Sequence, residues 1–197
     1  MARSINYTKA VVICHGKSEY QISRYIYTNL RLPVKLHAKD KGKHSIQIPG
    51  LIQELSTSVF TNIKTFSEHF NVEVKSRNKC LESFKLFTFM DTDDCSQIQK
   101  SDYISGKMFS GHWLSDYIVP IYDNPDLENV LFSCGLIPKI FNSNEKGKCY
   151  EKIFPINGNS KAEGTIDDIK EFRNKLYNCK NTNIHTMIDY FLGLIAN

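Results

Sequence analysis

The stretch Val11-Val12-Ile13-Cys14-His15-Gly16-Lys17-Ser18-Glu19 decides the fold. A short β-branched run stops at a glycine, and Ser18 followed three residues later by Gln21 has the form of a capping box that starts a helix. That pattern is a strand, a tight turn and a helix. Open α/β sheets hold ligands beyond the carboxyl ends of their strands, so the polar residues of this turn are the first candidates for a site.

Downstream of the turn, Ile22, Ile26 and Leu30 recur every four residues, with Tyr25 beside them, and predict one apolar helical stripe that ends before Pro33. Val34 to His37 reads as a second strand, and Lys39-Asp40-Lys41-Gly42-Lys43 as a solvated loop. From Pro49-Gly50 onward, Leu51, Leu55, Val59, Ile63, Phe66 and Phe70 are spaced by three or four residues and predict one long amphipathic helix. Val72 to Val74 suits a short strand, and Lys75 to Glu82 a polar connection.

The run Phe84-Lys85-Leu86-Phe87-Thr88-Phe89-Met90 is nearly continuously apolar, as expected of a parallel strand covered on both faces, and it ends in Asp91-Thr92-Asp93-Asp94. A modest helix is expected over Ser96 to Ser105, then a loop. Tyr117 to Tyr122 reads as a strand that Pro120 confines to an edge or a strand end. Asp123-Asn124-Pro125 makes a turn that opens a helix through Leu127, Val130 and Leu131. Cys134 to Lys161 reads as loops with short extended pieces. Two helices close the chain, one capped by Thr165 and carrying Ile169, Phe172 and Leu176, the next following Asn181 and carrying Ile184, Ile188, Phe191, Leu192 and Ile195.

Alternating strands and helices predict an α/β fold with a mostly parallel, Rossmann-like sheet flanked by helices, the C-terminal helices packed on it. The expected organisation is a core over residues 1–135 and an extension over 136–197 within the same globular unit. At 197 residues, 41% hydrophobic and 23% charged, the chain has the composition of an ordinary globular protein, not of a disordered or repeat protein. The six cysteines form no C-x-x-C pair, which removes zinc-knuckle and thioredoxin spacings and suggests reduced thiols. With no apolar signal core near Met1 and no run long enough to span a bilayer, the expected location is cytoplasmic, without membrane contact.

The net charge of +4 permits polyanion binding without demanding it. Its distribution says more. Lys35, Lys39, Lys41 and Lys43 crowd one segment, with Lys17 beside the first turn, while Asp91, Asp93 and Asp94 crowd another. Residues two apart on a strand point the same way, so Asp91 and Asp93 are expected to project together toward the Gly16 turn. Two carboxylates about 6 Å apart repel by roughly 3 kcal/mol at an effective dielectric of about 20. Such a pair wants a counterion or one raised pKa, and Mg²⁺, which takes oxygen ligands and keeps waters and phosphates, is the economical answer, with Glu19 completing the set.

This arrangement resembles a TOPRIM domain, the metal-binding α/β module of topoisomerases, bacterial primases, and OLD-type and RloB-like nucleases, and is most similar to the RloB-like and OLD-type group. The resemblance runs from about Ala10 to Leu131: an acidic residue and Gly after the first strand, a second acidic residue four positions on, and D-x-D after a later strand. Gly16, Glu19, Asp91 and Asp93 match; His15 stands where the first glutamate belongs. Asp123-Asn124-Pro125-Asp126-Leu127-Glu128 is similar to the S-N-P-x-F-E segment of RloB-like proteins and makes Glu128, like Asp94, a further acidic candidate.

The resemblance implies metal-assisted phosphodiester cleavage with Mg²⁺ or Mn²⁺. It assigns Glu19, Asp91 and Asp93 as ligands and His15 as ligand or proton shuttle. Lys17, Lys35, Lys39, Lys41 and Lys43 become contacts to the nucleic-acid backbone. It also implies phage defence of the abortive-infection kind beside an ATPase partner. Imidazole supplies no negative charge and suits Mn²⁺ better than Mg²⁺, so the alternative is a catalytically degenerate module that binds nucleic acid or a partner protein.

Each feature also has a plainer use. An aspartate cluster after a strand can simply cap a helix, a first-turn glutamate stabilises any helix dipole, and a lysine run is often a solvated face. Cys14-His15-Gly16-Lys17-Ser18-Glu19 is similar to the R-H-G-E-S-E start of histidine phosphatases, a minor alternative in which His15 takes the phosphoryl group, but Cys14 replaces the arginine. A P-loop is excluded because its first glycine falls on Val11.

Overall fold

In the computed structural model, which describes residues 6–75, 77, 79–155 and 165–196, the opening strand β1 (Ala10–Cys14) lies inside a four-stranded parallel sheet. It is flanked by β2 (Val34–His37) on one side and β5 (Lys85–Asp91) on the other. Beyond β5 comes β6 (Ile118–Asp123), giving the order β2-β1-β5-β6. All three pairings are parallel, with Val12 opposite Leu36 and Phe87, and Asp91 opposite Asp123. The fold is α/β with a parallel sheet flanked by helices, as the alternation of elements predicts.

Both faces of the sheet are covered: its inner strands are buried at every position but Lys85, and mostly apolar. Ala10, Val12 and Cys14 of β1 and Phe87 and Phe89 of β5 face one core. Into it pack α1 (Lys17–Asn29), α5 (Leu127–Ser133), α6 (Ser143–Ile153), α7 (Ile166–Tyr177) and α8 (Ile184–Ile195). Val11, Ile13, Leu86 and Met90 face the other, with α2 (Leu51–Leu55), α3 (Ile63–Phe70) and α4 (Gln97–Ile104). Each fully buried Phe or Ile stabilises by about 1.5–3 kcal/mol. The sheet is thereby fixed against slipping.

Pro120 sits, as expected, on an edge strand. The free side of that edge is covered by Asn183, whose Oδ1 accepts from the Tyr122 N–H at 2.9 Å and whose Nδ2 donates to the Pro120 carbonyl at 2.9 Å. Val74–Lys75 (β3) pairs antiparallel with Cys80–Leu81 (β4), so the polar connection contains a small hairpin. No helix among the described residues is long and apolar enough to cross a membrane, and the described cysteines are free.

Three local expectations are corrected. The long helix over residues 51–70 is two helices, separated by a 3₁₀ turn at Ser58–Phe60. The Ser56 hydroxyl donates to the Ile52 carbonyl, that of Thr57 to Glu54, and the Asn62 Oδ1 accepts from the Lys64 and Thr65 N–H groups. These short side chains compete with the helical ladder and restart it, while the apolar spacing survives. The start of α1 is not capped by Ser18 and Gln21: Gly16 occupies the N-cap and Glu19 Oε2 accepts its N–H at 2.7 Å. Gln21 instead donates to the Phe154 carbonyl.

The third correction concerns Cys134 to Lys161, which contains α6. Its sequence carries Lys146, Lys148, Glu151 and Lys152 with Gly147 in the middle, so its apolar face is confined to Cys149, Tyr150 and Ile153. The portion 156–161 of that stretch lies outside the described residues.

Candidate functional site

The turn after β1 is held from both sides. The His15 N–H donates to the Phe89 carbonyl at 2.9 Å, and the His15 carbonyl accepts from the Ile46 N–H at 2.8 Å. Gly42, at φ +86, brings the lysine loop against the turn: a Cβ there would stand 2.7 Å from the backbone of Gly16 and Lys17. Only glycine allows that approach. It makes the loop a wall of the site.

Three carboxylates from separate elements gather here. Glu19, in the first turn of α1, is 3% exposed, and Asp91, at the tip of β5, is 9% exposed with Oδ1 accepting from the Leu127 N–H at 3.0 Å. Glu128, in the first turn of α5, accepts at Oε1 from the Lys146 ammonium at 2.6 Å, the Tyr150 hydroxyl at 2.8 Å and, more weakly, the Ser18 hydroxyl at 3.4 Å. Beside them opens a cavity of about 640 Å³, lined by His15, Lys17, Glu19, Asp91, Lys146, Lys148 and Tyr150, with Gly42 and Ser45 on the loop side. Its size is that of a small-molecule pocket.

Burial and mutual repulsion shift Glu19, Asp91 and the neighbouring Asp123. Loss of water pushes Glu19 up to about 7, with the Glu128 charge adding to it. Asp91 rises to about 8, through burial first and the Glu19 charge second. Asp123 is fully buried and is raised well above the usual carboxylate range by burial and by Asp91. The Tyr150 hydroxyl is raised as well, by burial and then by Glu128. The Cys14 thiol is also raised, by burial and then by Glu19, which leaves it a small buried residue and no nucleophile.

His15 lies between two of the acids, Nε2 at 4.0 Å from Asp91 Oδ2 and Nδ1 at 3.8 Å from Asp94 Oδ2. These are ion-pair separations, too long for hydrogen bonds, and Nδ1 has no hydrogen-bond partner among the described residues. Asp94 therefore takes the place expected of Asp93, which is exposed. The strand ends at Asp91; Thr92 then donates its N–H to the Asp123 and Pro125 carbonyls and turns the chain out of the sheet. The two-residue alternation fails one step beyond the strand.

Compared with protein-family models, curated proteins and solved structures, the chain matches none. Its own residues must carry the functional argument. Among the described residues no group of three His, Cys, Asp and Glu side chains is arranged to hold a metal ion. Magnesium-type ions, however, are commonly held by one or two carboxylates with waters and substrate phosphates. Glu19 and Asp91 both line the cavity and offer that kind of oxygen donor, each giving up its proton to the ion's charge.

The lysine segment is less available than its composition suggests. Lys39 pairs with Glu54 at 3.1 Å, an acid also held by His37 at 2.7 Å, and Lys43 pairs with Asp40 at 3.0 Å. Lys35 and Lys41 are exposed, and neither lines the cavity. Lys17 does. The remaining cations at the cavity, Lys146 and Lys148, escape sequence reasoning because α6 does so; the only signal was their spacing of two on a polar stretch. Asp123 is missed because Asp-Asn-Pro reads as a turn. Among the described residues no arginine lines the cavity, and His112 bonds to the Leu55 carbonyl at 3.3 Å, so within them the partners of a histidine phosphatase are not gathered around His15.

Proposed function

We propose that the chain is a TOPRIM-like, metal-dependent nuclease or a related nucleic-acid-processing protein, acting on the phosphate of a nucleic-acid strand with Mg²⁺ or Mn²⁺. One observation carries this: Glu19, Asp91 and Glu128, from three elements, gather at the carboxyl edge of a parallel sheet beside a cavity that Lys17, Lys146 and Lys148 also line. Carboxylates flanked by ammonium groups suit a phosphate that arrives with its own cation. Glu19 and Asp91 would hold the ion, which supplies orientation of the phosphate and neutralises the charge that builds on oxygen.

The surrounding residues prepare those two acids. The Gly16 N–H orients Glu19, and the Leu127 N–H orients Asp91. Lys17 and Lys148 offer ammonium groups to phosphate oxygens. The His15 imidazole, flanked by Asp91 and Asp94, is the group to take a proton from an attacking water or return one to the leaving oxygen. The link to phage defence and an ATPase partner follows from the sequence resemblance alone.

A non-catalytic module that binds nucleic acid or a partner protein is favoured by two observations: His15 where the resembled family has glutamate, and an ammonium already seated on Glu128. A plasmid-nicking and single-strand cleavage assay with Mg²⁺, Mn²⁺ and EDTA separates the two. The enzyme yields a metal-dependent product that disappears in Asp91→Asn. Binding to DNA or RNA without any metal-dependent product would establish the non-catalytic module.

A further inference from the structure

Lys146 is placed where an incoming cation would have to compete with it. Its ammonium lies 2.6 Å from Glu128 Oε1, with the Glu128 side chain 12% and the Lys146 side chain 36% exposed. Around that pair lie the buried acids Glu19, Asp91 and Asp123, and Glu128 acts on the charge state of all three. Among the described residues no other ammonium forms an ion pair with any of these four acids. Lys146 thus neutralises Glu128 directly and acts on Glu19 beside it, while His15 stands next to Asp91.

The same ammonium also belongs to the cavity. Lys146 and Lys148 line it from α6, and Lys17 approaches from α1; Lys17 Nζ stands 3.5 Å from where a Cβ on Gly147 would be. The Lys146 stem is long and partly exposed, so its head group can leave Glu128 without unfolding α6. A phosphate in the cavity offers that head group a second anionic partner. A cavity of about 640 Å³ takes one nucleotide, a strand end or a mononucleotide, and not a length of duplex.

We propose that Lys146 is an exchangeable counterion: it neutralises Glu128 in the unloaded protein and passes to the phosphate of a nucleotide-sized ligand when a divalent ion takes up the carboxylates. This rests on the metal-dependent function proposed above. Each ligand then removes an obstacle to the other. The ion frees Lys146 for the phosphate, and the phosphate draws Lys146 away from the acids, so the two bind with positive and reciprocal coupling.

The test is calorimetric titration of Mn²⁺ into the full chain with and without saturating adenosine monophosphate, the Mn²⁺–nucleotide interaction in buffer being subtracted. Wild type is expected to bind Mn²⁺ at least ten-fold more tightly with nucleotide present. Lys146→Met is expected to bind Mn²⁺ more tightly than wild type in its absence, and to lose the coupling to within two-fold; Lys146→Arg should retain it. Glu128→Gln, which releases the ammonium, should raise nucleotide affinity measured without metal. Circular dichroism melts establish that each variant is folded.

Mn²⁺ affinity of wild type that ignores the nucleotide, or coupling that persists in Lys146→Met, overturns the exchange. Absence of Mn²⁺ binding in wild type, Lys146→Met and Lys146→Arg alike overturns the metal-dependent function itself.

Discussion

Asp91 and Asp123 stand opposite each other in register at the tips of the adjacent parallel strands β5 and β6. Residues paired this way project to the same side of a sheet, and here that side is the core holding α1 and α5. Two neighbouring buried acids cannot both ionise without a cation, and burial followed by Asp91 raises Asp123 well above its ordinary range. The pair therefore keeps a proton at the edge where the candidate site lies, and holding it costs stability as the pH rises.

Removing one acid from this pair should therefore stabilise the protein. Asp123→Asn is expected to gain about 1–3 kcal/mol at pH 8, because the neutral amide is buried beside Asp91 without having to take up a proton. Asp91→Asn retains an oxygen to accept the Leu127 N–H and should gain a similar amount. The two variants should part in metal titrations: Asp123→Asn keeps Mn²⁺ binding and Asp91→Asn loses it. Urea unfolding at pH 8, together with calorimetry, checks both.

The same acids set a pH dependence. Glu19 rises from 4.5 to about 7 and Asp91 from 3.8 to about 8 in the folded chain. Between those unfolded and folded values the native state binds more protons than the unfolded one, so stability falls as pH rises. Their contribution is complete below about pH 4 and lost through about pH 7–8, superimposed on the titration of the other groups. Melting temperature without divalent ions should be lower at pH 8.5 than at pH 5.5, by about 2–4 °C for each kcal/mol lost. Saturating Mn²⁺ should lift the pH 8.5 value most. A melting temperature that rises from pH 5.5 to 8.5 in EDTA would contradict this electrostatic account.

The sheet is legible in the sequence because buried parallel strands carry apolar side chains on both faces, as Val11 to Ile13 and Leu86 to Met90 do. The Gly16 turn is legible because a glycine ends such a run. The break between α2 and α3 is hidden, since Leu55, Val59 and Ile63 keep helical spacing while Thr57 and Asn62 redirect the backbone through their own side-chain bonds. Asp94 in place of Asp93 depends on where hydrogen bonding to Asp123 and Pro125 turns the chain, a contact more than 30 residues away that no local pattern encodes. Lys146 is hidden for a similar reason: its meaning comes from Glu128, which only the tertiary fold brings near.

Gly42 gives a test of the loop wall. A Cβ at this position would meet the Gly16 and Lys17 backbone at 2.7 Å, and φ is +86. Gly42→Ala combines a left-handed backbone penalty with a clash that only backbone movement relieves, and should cost about 2–4 kcal/mol. Because the loop borders the cavity, nucleotide affinity should fall as well. Gly50→Ala, which meets nothing within 4 Å, is the control and should leave both nearly unchanged. Chemical denaturation and nucleotide titration of the two variants make the comparison.

His15→Glu asks what the departure from the resembled family does. A glutamate there enters a space 4.0 Å from Asp91 and 3.8 Å from Asp94 in the present side-chain arrangement. Each new like-charge contact costs on the order of 1–4 kcal/mol at that range, the larger value at an effective dielectric of about 20. In EDTA the variant should melt below wild type; with Mg²⁺ it should recover more than wild type gains, because the third carboxylate is then a ligand and not a repulsive neighbour. Nicking activity with Mg²⁺ that appears only in His15→Glu would mark the natural chain as a binding module that has given up the reaction. Nicking by wild type with Mn²⁺, lost in His15→Ala, would mark the imidazole as a working replacement.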